Sequence, residues 1–177
     1  MEPELKHTIE VSPSGRAKCR GCNKNIEKGA LRLGEKLPNP FAEGAMTIWY
    51  HLQCGAFKRP EILLAALENT EEDVPNAEAL AADARESAAH LRLPRIDGVE
   101  RSPTGRARCR HCREMIEKDD WRISLVFYEE GRFNPSGYCH LGCAGEYLGT
   151  TDILRRLKHF TPDLGAEDEE ALRESLG

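Results

Sequence analysis

Ser12-Pro13-Ser14-Gly15-Arg16-Ala17-Lys18-Cys19-Arg20-Gly21-Cys22 recurs ninety positions later as Ser102-Pro103-Thr104-Gly105-Arg106-Ala107-Arg108-Cys109-Arg110-His111-Cys112. A match this long is not accidental, and it continues. Ile26-Glu27-Lys28 corresponds to Ile116-Glu117-Lys118, and Leu31-Arg32-Leu33 to Trp121-Arg122-Ile123. One residue out of phase, His51-Leu52-Gln53-Cys54 corresponds to His140-Leu141-Gly142-Cys143. Self-similarity at a fixed period means duplicated modules. The expected organisation is a first module over 1–92 and a second over 93–177, joined near Leu93-Pro94.

Each repeat carries Cys-x-x-Cys and, 28 or 27 residues after it, His-x-x-Cys. Zinc takes four ligands at tetrahedral corners, and two such pairs supply them. Cys19, Cys22, His51 and Cys54 form one set; Cys109, Cys112, His140 and Cys143 form the other. A lone Cys-x-x-Cys is also a redox or iron–sulfur signature, and those uses remain the alternatives. Duplication of the whole four-ligand set favours zinc, two ions per chain. Three cysteines and a histidine leave no corner open for water or substrate, so the metal is expected to be structural. The seventh cysteine, Cys139, aligns with Tyr50 and reads as a packed or free thiol beside the site. His111, inside the second knuckle, need not touch the metal.

The fold class expected is a small α+β module, twice over: a short antiparallel sheet, a zinc site and flanking helices. Strands are expected over residues 30–34 and 46–50, joined by the turn-rich loop Pro38-Asn39-Pro40-Phe41-Ala42-Glu43-Gly44. Its counterpart is Glu129-Glu130-Gly131-Arg132-Phe133-Asn134-Pro135-Ser136-Gly137. In the second module Trp121, Ile123, Leu125 and Phe127 alternate with Arg122, Ser124, Val126 and Tyr128, which predicts one packed face and one partly wet face. Helices are expected over Pro60–Asn69, Asn76–His90 with Asn76 as N-cap, and Ala166–Leu176.

The 177 residues carry a net charge of −5, which argues against a nucleic-acid partner until the charge is followed along the chain. Residues 16–36 hold seven basic side chains against Glu27 and Glu35, whereas residues 61–86 hold eight acidic ones against Arg85. Residues 101–122 carry seven basic side chains against four acidic ones, and residues 163–174 carry six acidic ones against Arg173. Each module has a basic front and an acidic back. There is no apolar leader after Met1 and no apolar run of membrane-spanning length, so seven cysteines point to a reducing, intracellular setting without a membrane anchor. That setting is nuclear in a eukaryote and cytoplasmic or nucleoid in a bacterium.

Gly-Arg-Ala-Lys-Cys-Arg-Gly-Cys, Ile-Glu-Lys-Gly-Ala-Leu-Arg-Leu and Trp-Tyr-His-Leu-Gln-Cys-Gly-Ala-Phe together resemble the DNA-break-sensing zinc finger of poly(ADP-ribose) polymerases, a finger also carried by a vertebrate DNA ligase. The second half resembles it too, departing at Tyr138-Cys139, where the family usually shows Trp-Tyr, and in both break-facing loops. The resemblance implies that two arginines per finger grip the phosphate backbone, at Arg16 and Arg32 and at Arg106 and Arg122. A guanidinium fork suits phosphate oxygens. Lys18, Arg20, Arg108 and Arg110 are further candidates. The family also stacks an apolar loop side chain on the base pair that a break exposes, and Phe41 and Phe133 are the candidates here. Trp49 and Phe57 read as core.

A non-enzymatic, monomeric binder of DNA ends, nicks or gaps is the leading expectation. A zinc-stabilised adaptor that docks protein partners through its acidic helices is the alternative. An enzyme is disfavoured: the sequence has no phosphate-cradling glycine loop, and ending at Gly177 it leaves no room for the polymerases' catalytic domain. A stand-alone sensor and a fragment of something larger both fit that length.

Overall fold

The computed structural model describes residues 6–39, 41 and 43–177. The chain divides into two compact units, residues 1–89 with 129–133, and residues 90–128 with 134–177.

In the first unit β1 (Thr8–Val11), β2 (Leu31–Pro38) and β3 (Ala45–His51) form an antiparallel sheet with β2 in the centre. The register sets Glu10 opposite Arg32 and Arg32 opposite His51. Helices α1 (Leu52–Lys58), α2 (Pro60–Asn69) and α3 (Ala77–Ala89) follow, and α1 and α2 pack on the sheet. Pro60 occupies the first turn of α2, where its missing N–H removes no bond. Ile9, Ile26, Leu33, Ile48, Phe57, Leu63 and Ala84 fill the core. Gly55 lets α1 approach β2 closely, since a Cβ there would lie 2.5 Å from the Leu33 side chain.

The second unit repeats the scheme with β4 (Ile96–Arg101) and most of β5 (Trp121–Glu129) and β6 (Arg132–His140), again with the middle strand central, while the hairpin tip at residues 129–133 falls in the first unit. A 3-10 turn at Leu141–Cys143 leads into α4 (Ala144–Leu148), α5 (Leu154–Phe160) and α6 (Ala166–Leu176). Ile96, Val99, Ile116, Ile123, Leu125, Leu148, Leu157 and Leu172 are buried together. The Thr161 hydroxyl accepts the Val99 N–H at 3.0 Å, which ties the end of α5 to β4.

Several expectations need correction. Strands β1 and β4 were not foreseen, and the strand expected over 30–34 runs on to Pro38. The loop expected over 129–137 is instead a two-residue turn followed by a strand. Glu130 and Gly131 have φ of 48° and 84°, the left-handed pair that suits the twist of a tight hairpin. Pro135 and Gly137 are tolerated because β6 is an edge strand, where a missing donor or a flexible residue interrupts little. In the first unit the β2–β3 connection is longer, and within it Pro40 and Ala42 lie outside the described residues. The alternation along β5 holds at Ile123 and Leu125, but Arg122 and Val126 are also buried while Phe127 is 47% exposed. Arg95 lies over the Phe127 ring at 5.2 Å. Asn76 precedes α3 as expected, and its carbonyl accepts the Leu80 N–H, but its φ is 60°, outside the extended backbone of an ordinary N-cap.

Both zinc knuckles are built by the same backbone bonds. In the first, Cys19 N–H donates to the Lys24 carbonyl, Asn23 N–H to Cys19 and Ile26 N–H to Ala17. In the second, Cys109, Arg113 and Ile116 donate to Glu114, Cys109 and Ala107. The turn demands a left-handed residue, at φ 63° for Asn23 and 67° for Arg113. Asparagine tolerates that region and arginine resists it. Replacing Arg113 by Gly should therefore raise the stability of the zinc-loaded second unit by roughly 0.5–1 kcal/mol, whereas Asn23→Ala should lower that of the first. Denaturant titration of each variant reads both effects, and a loss of stability in Arg113→Gly would contradict the strain.

Candidate metal centres and basic face

Each knuckle reaches its other two ligands through the strand beside it. Arg20 N–H donates to the Trp49 carbonyl at 2.8 Å, and Arg110 N–H to Tyr138 at the same distance. This brings the first Cys-x-x-Cys to the end of β3 and the second to the end of β6, where His51 and His140 sit. The turn into the following helix then delivers Cys54 and Cys143.

Within each set the four ligand atoms lie within 4.8 Å of one another, so each could hold a metal ion. The edges match in the two units: Cys22 Sγ is 3.3 Å and Cys54 Sγ 3.8 Å from His51 Nδ1, and Cys112 and Cys143 repeat those distances to His140 Nδ1. Zinc bonds of about 2.3 Å to sulfur and 2.0–2.1 Å to nitrogen give tetrahedral edges of about 3.6–3.8 Å, so both sets fit that ion. Backbone N–H groups of His51 and His140 donate to Cys19 Sγ and Cys109 Sγ at 3.3 Å, which favours thiolate at both. His140 Nε2 donates to the Met115 carbonyl at 3.1 Å, fixing the tautomer that leaves Nδ1 free to ligate.

The sulfurs are too close to ionise independently. A hydrogen bond from Cys54 holds the Cys19 thiol down to about 3 against its burial, while the same bond pushes Cys54 far above the usual thiol range. The bond to Cys19 raises His51 to about 9. In the second set burial opposes ionisation of Cys109, but N–H groups of His140, Cys112 and His111 bring it down to about 6. Burial and the nearby Cys109 lift Cys143 to about 12. A dication in the centre resolves this conflict, because it stabilises three thiolates at once and ligates a neutral imidazole.

Cys139 is fully buried and stands outside the four-atom cluster, donating its S–H to the His140 carbonyl at 3.3 Å. Burial, followed by the charge of Cys109, pushes its thiol well above the ordinary range. His111 pairs with Glu146 at 2.8 Å and belongs to no ligand set.

The basic residues divide into two groups. Arg16, Lys18, Arg106, Arg108 and Arg110 are exposed, and Arg20 is half-buried. Arg16 and Arg106 are placed by equivalent turns: buried Ser12 and Ser102 donate to the carbonyls of Ser14 and Thr104, whose hydroxyls accept the Arg16 and Arg106 N–H groups at 3.3 Å. Arg32 and Arg122 lie on the central strands and are only 8% and 7% exposed. The Arg32 guanidinium lies 3.5 Å above the Trp49 ring and pairs with Glu10 at 2.7 Å. Arg122 lies 3.7 Å above Tyr138 and pairs with Glu100 at 2.7 Å. Sequence reading passed over Glu10 and Glu100, although they stand in the same ninety-residue register as the rest of the repeat. Phe41 is 95% exposed in the β2–β3 connection, whereas Phe133 is half-buried on β6 with its ring edge-on to Tyr50 at 6.3 Å. Trp49 is half-buried beneath Arg32, and Phe57 is core.

Two single substitutions separate ligand from neighbour. Cys109→Ala should reduce bound zinc from two ions to one per chain, while Cys139→Ala should keep both, as read by zinc analysis of the purified protein. Loss of a zinc from Cys139→Ala would make Cys139 a ligand.

Residues 10–91 match the family model described as the zinc-finger region of poly(ADP-ribose) polymerase and DNA ligase. The chain is 31% identical, over 99% of its length, to a poly(ADP-ribose) polymerase of Sarcophaga peregrina, and 26% identical over 73% of its length to that of Drosophila melanogaster. It spans 20% and 14% of those proteins, about a fifth or less of either. Residues 10–91 therefore carry a zinc finger similar to those of poly(ADP-ribose) polymerases and DNA ligase, and the second half repeats its sheet and its four-ligand cluster.

Proposed function

We propose that the chain is a non-enzymatic DNA-binding protein that recognises strand breaks, ends or gaps through phosphate contacts and base stacking. The observation that carries this reading is the duplicated exposed arginine, Arg16 and Arg106, set beside each knuckle by the same hydroxyl-capped turn. Lys18 and Arg108 extend each basic face. Arg32 and Arg122 add a guanidinium pre-oriented on an aromatic ring, which meets phosphate once the glutamate partner is exchanged. Phe41 and Phe133 are the aromatics offered to a base pair that a break lays open, a contact that ignores sequence because every base has a stacking face.

The zinc ions brace these faces and take no part in chemistry, since a Cys₃His set is coordinatively closed. The chain acts as a monomer, in the nucleus if its source is eukaryotic. The adaptor reading has less support: Glu169 and Glu170 on α6, part of the acidic back, already pair with Lys158 and Arg173.

Phosphate contacts release counterions, so the logarithm of affinity should fall linearly with the logarithm of salt, by about 0.9 per phosphate on duplex. Nicked and blunt-ended DNA should bind more tightly than covalently closed duplex across that range. The double variant Arg16→Ala, Arg106→Ala should keep two zincs, bind more weakly, and have a slope shallower by about 1.8. Unchanged affinity and slope would remove these arginines from the interface, and absence of any salt-sensitive binding would favour the adaptor.

A further inference from the structure

Given zinc in both clusters, we infer that Lys58 is a positioning residue of the first metal centre, and that the second centre, where the repeat sets Tyr147 at that position, gives up its ion first. What the basic faces bind does not enter.

Lys58 closes α1. It is only 3% exposed, and its Nζ donates to the Gly21 carbonyl at 2.6 Å. Gly21 lies inside the Cys19-Arg20-Gly21-Cys22 knuckle and is packed against the ligands: a Cβ there would lie 3.0 Å from Cys54 Cβ and 3.6 Å from Cys19 Sγ. The peptide that carries this carbonyl also carries the Cys22 N–H, which donates to the Cys19 sulfur. Lys58 therefore bonds one end of a peptide dipole whose other end bonds a ligand. An ammonium on the carbonyl polarises that peptide and strengthens its N–H as a donor. Charge gives a second reason. Three thiolates, a neutral imidazole and a dication carry a net negative charge, which is costly to hold in a part-buried site. A buried ammonium carries the opposite cost, and placed against the knuckle the two offset each other.

The second centre is built differently. In the register that aligns His140 with His51, Tyr147 stands at the Lys58 position, and His111 stands at the Gly21 position of the knuckle. The Tyr147 ring lies edge-on to His111 at 6.2 Å, and His111 Nε2 meets Glu146 at 2.8 Å. The contact on this knuckle thus brings a carboxylate where the first brings an ammonium. Cys112 N–H still donates to Cys109, and the bond from His140 Nε2 to the Met115 carbonyl orients the imidazole. Both are neutral donors, about half as strong as a charged one. Access follows the same order: Cys112 is exposed and Cys143 part-buried, whereas Cys22 is part-buried and Cys54 buried. A competing chelator meets the second centre's sulfur first.

Zinc release from the whole chain to an excess of a chromophoric chelator tests this. Two phases of one zinc each are expected, and Cys109→Ala, which keeps the first centre, should show the slow phase alone. Lys58→Met should weaken the first centre about 10- to 100-fold and leave the fast phase unchanged, while Lys58→Arg, which keeps the charge, should retain most of the affinity. Cobalt in place of zinc adds a readout that mere loosening of α1 would not move. With circular dichroism unchanged, the sulfur-to-cobalt charge-transfer band of the first centre should shift in Lys58→Met and not in Lys58→Arg. If Lys58→Met does not fold, Lys58→Gln takes its place with the same expected loss. Release of both ions at one rate, a fast phase in Cys109→Ala, or equal first-centre affinity in Lys58→Met and Lys58→Arg would overturn the inference. Failure of the zinc reading itself would appear earlier and separately, as fewer than two ions bound by the unsubstituted chain.

Discussion

Four ligand atoms within 4.8 Å of one another, drawn from a knuckle and from a strand end some thirty residues later, are the constraint on which each finger depends. A unit of under a hundred residues has a modest core, and an added staple is worth most at that size. Structural zinc contributes about 10–16 kcal/mol in finger peptides, comparable to the whole stability of a small domain. The node also fixes position. It pulls the knuckle against β3 or β6, and the knuckle carries the turn from which Arg16 or Arg106 projects. Only two residues separate Arg16 from Cys19 and Arg106 from Cys109, so each exposed arginine sits close to its metal cluster.

The two fingers keep this node and differ in how they fill the space behind it. In the first, Glu35 is buried; it accepts two bonds from Arg59 and one from the Tyr50 hydroxyl at 2.8–3.0 Å. In the second, the repeat places Leu125, Leu148 and Cys139 at those three positions, all buried in the core. A buried ion pair must recover a large desolvation cost, and apolar residues of similar bulk commonly do as well. Such an exchange has to be made at all three positions together, because a single survivor would leave a buried charge or hydroxyl without its partner. That accounts for Cys139: it stands where Tyr50 has lost both the carboxylate it served and the arginine beside it.

Much of this was legible in the sequence. Repetition and spacing are enough for the ligands, because coordination geometry permits few alternatives once eight residues recur in register. Helices α2 and α3 were marked by Pro60 and Asn76 at their starts, and strand β3 by its β-branched and aromatic residues. Strands β1 and β4 were missed because Thr-Ile-Glu-Val and Ile-Asp-Gly-Val-Glu-Arg are short edge strands with little apolar pattern. Pro135, Ser136 and Gly137 read as loop because local turn chemistry says nothing of an edge strand that tolerates them. Arg32 and Arg122 appeared as bare charges, since Glu10, Glu100 and the rings beneath them are brought close only by sheet register. The contrast between Phe41 and Phe133 lay in a two-residue turn that composition alone did not separate from a loop.

The central claim is that one metal node holds both the fold and the basic face of each finger. Graded chelation of the full chain, with zinc release, circular dichroism and duplex binding recorded on the same samples, tests it most directly. Loss of zinc, loss of folded signal and loss of binding should follow one another in proportion, and restored zinc should return all three. A demonstrably zinc-free chain that kept its folded signal and its affinity for DNA would contradict the account.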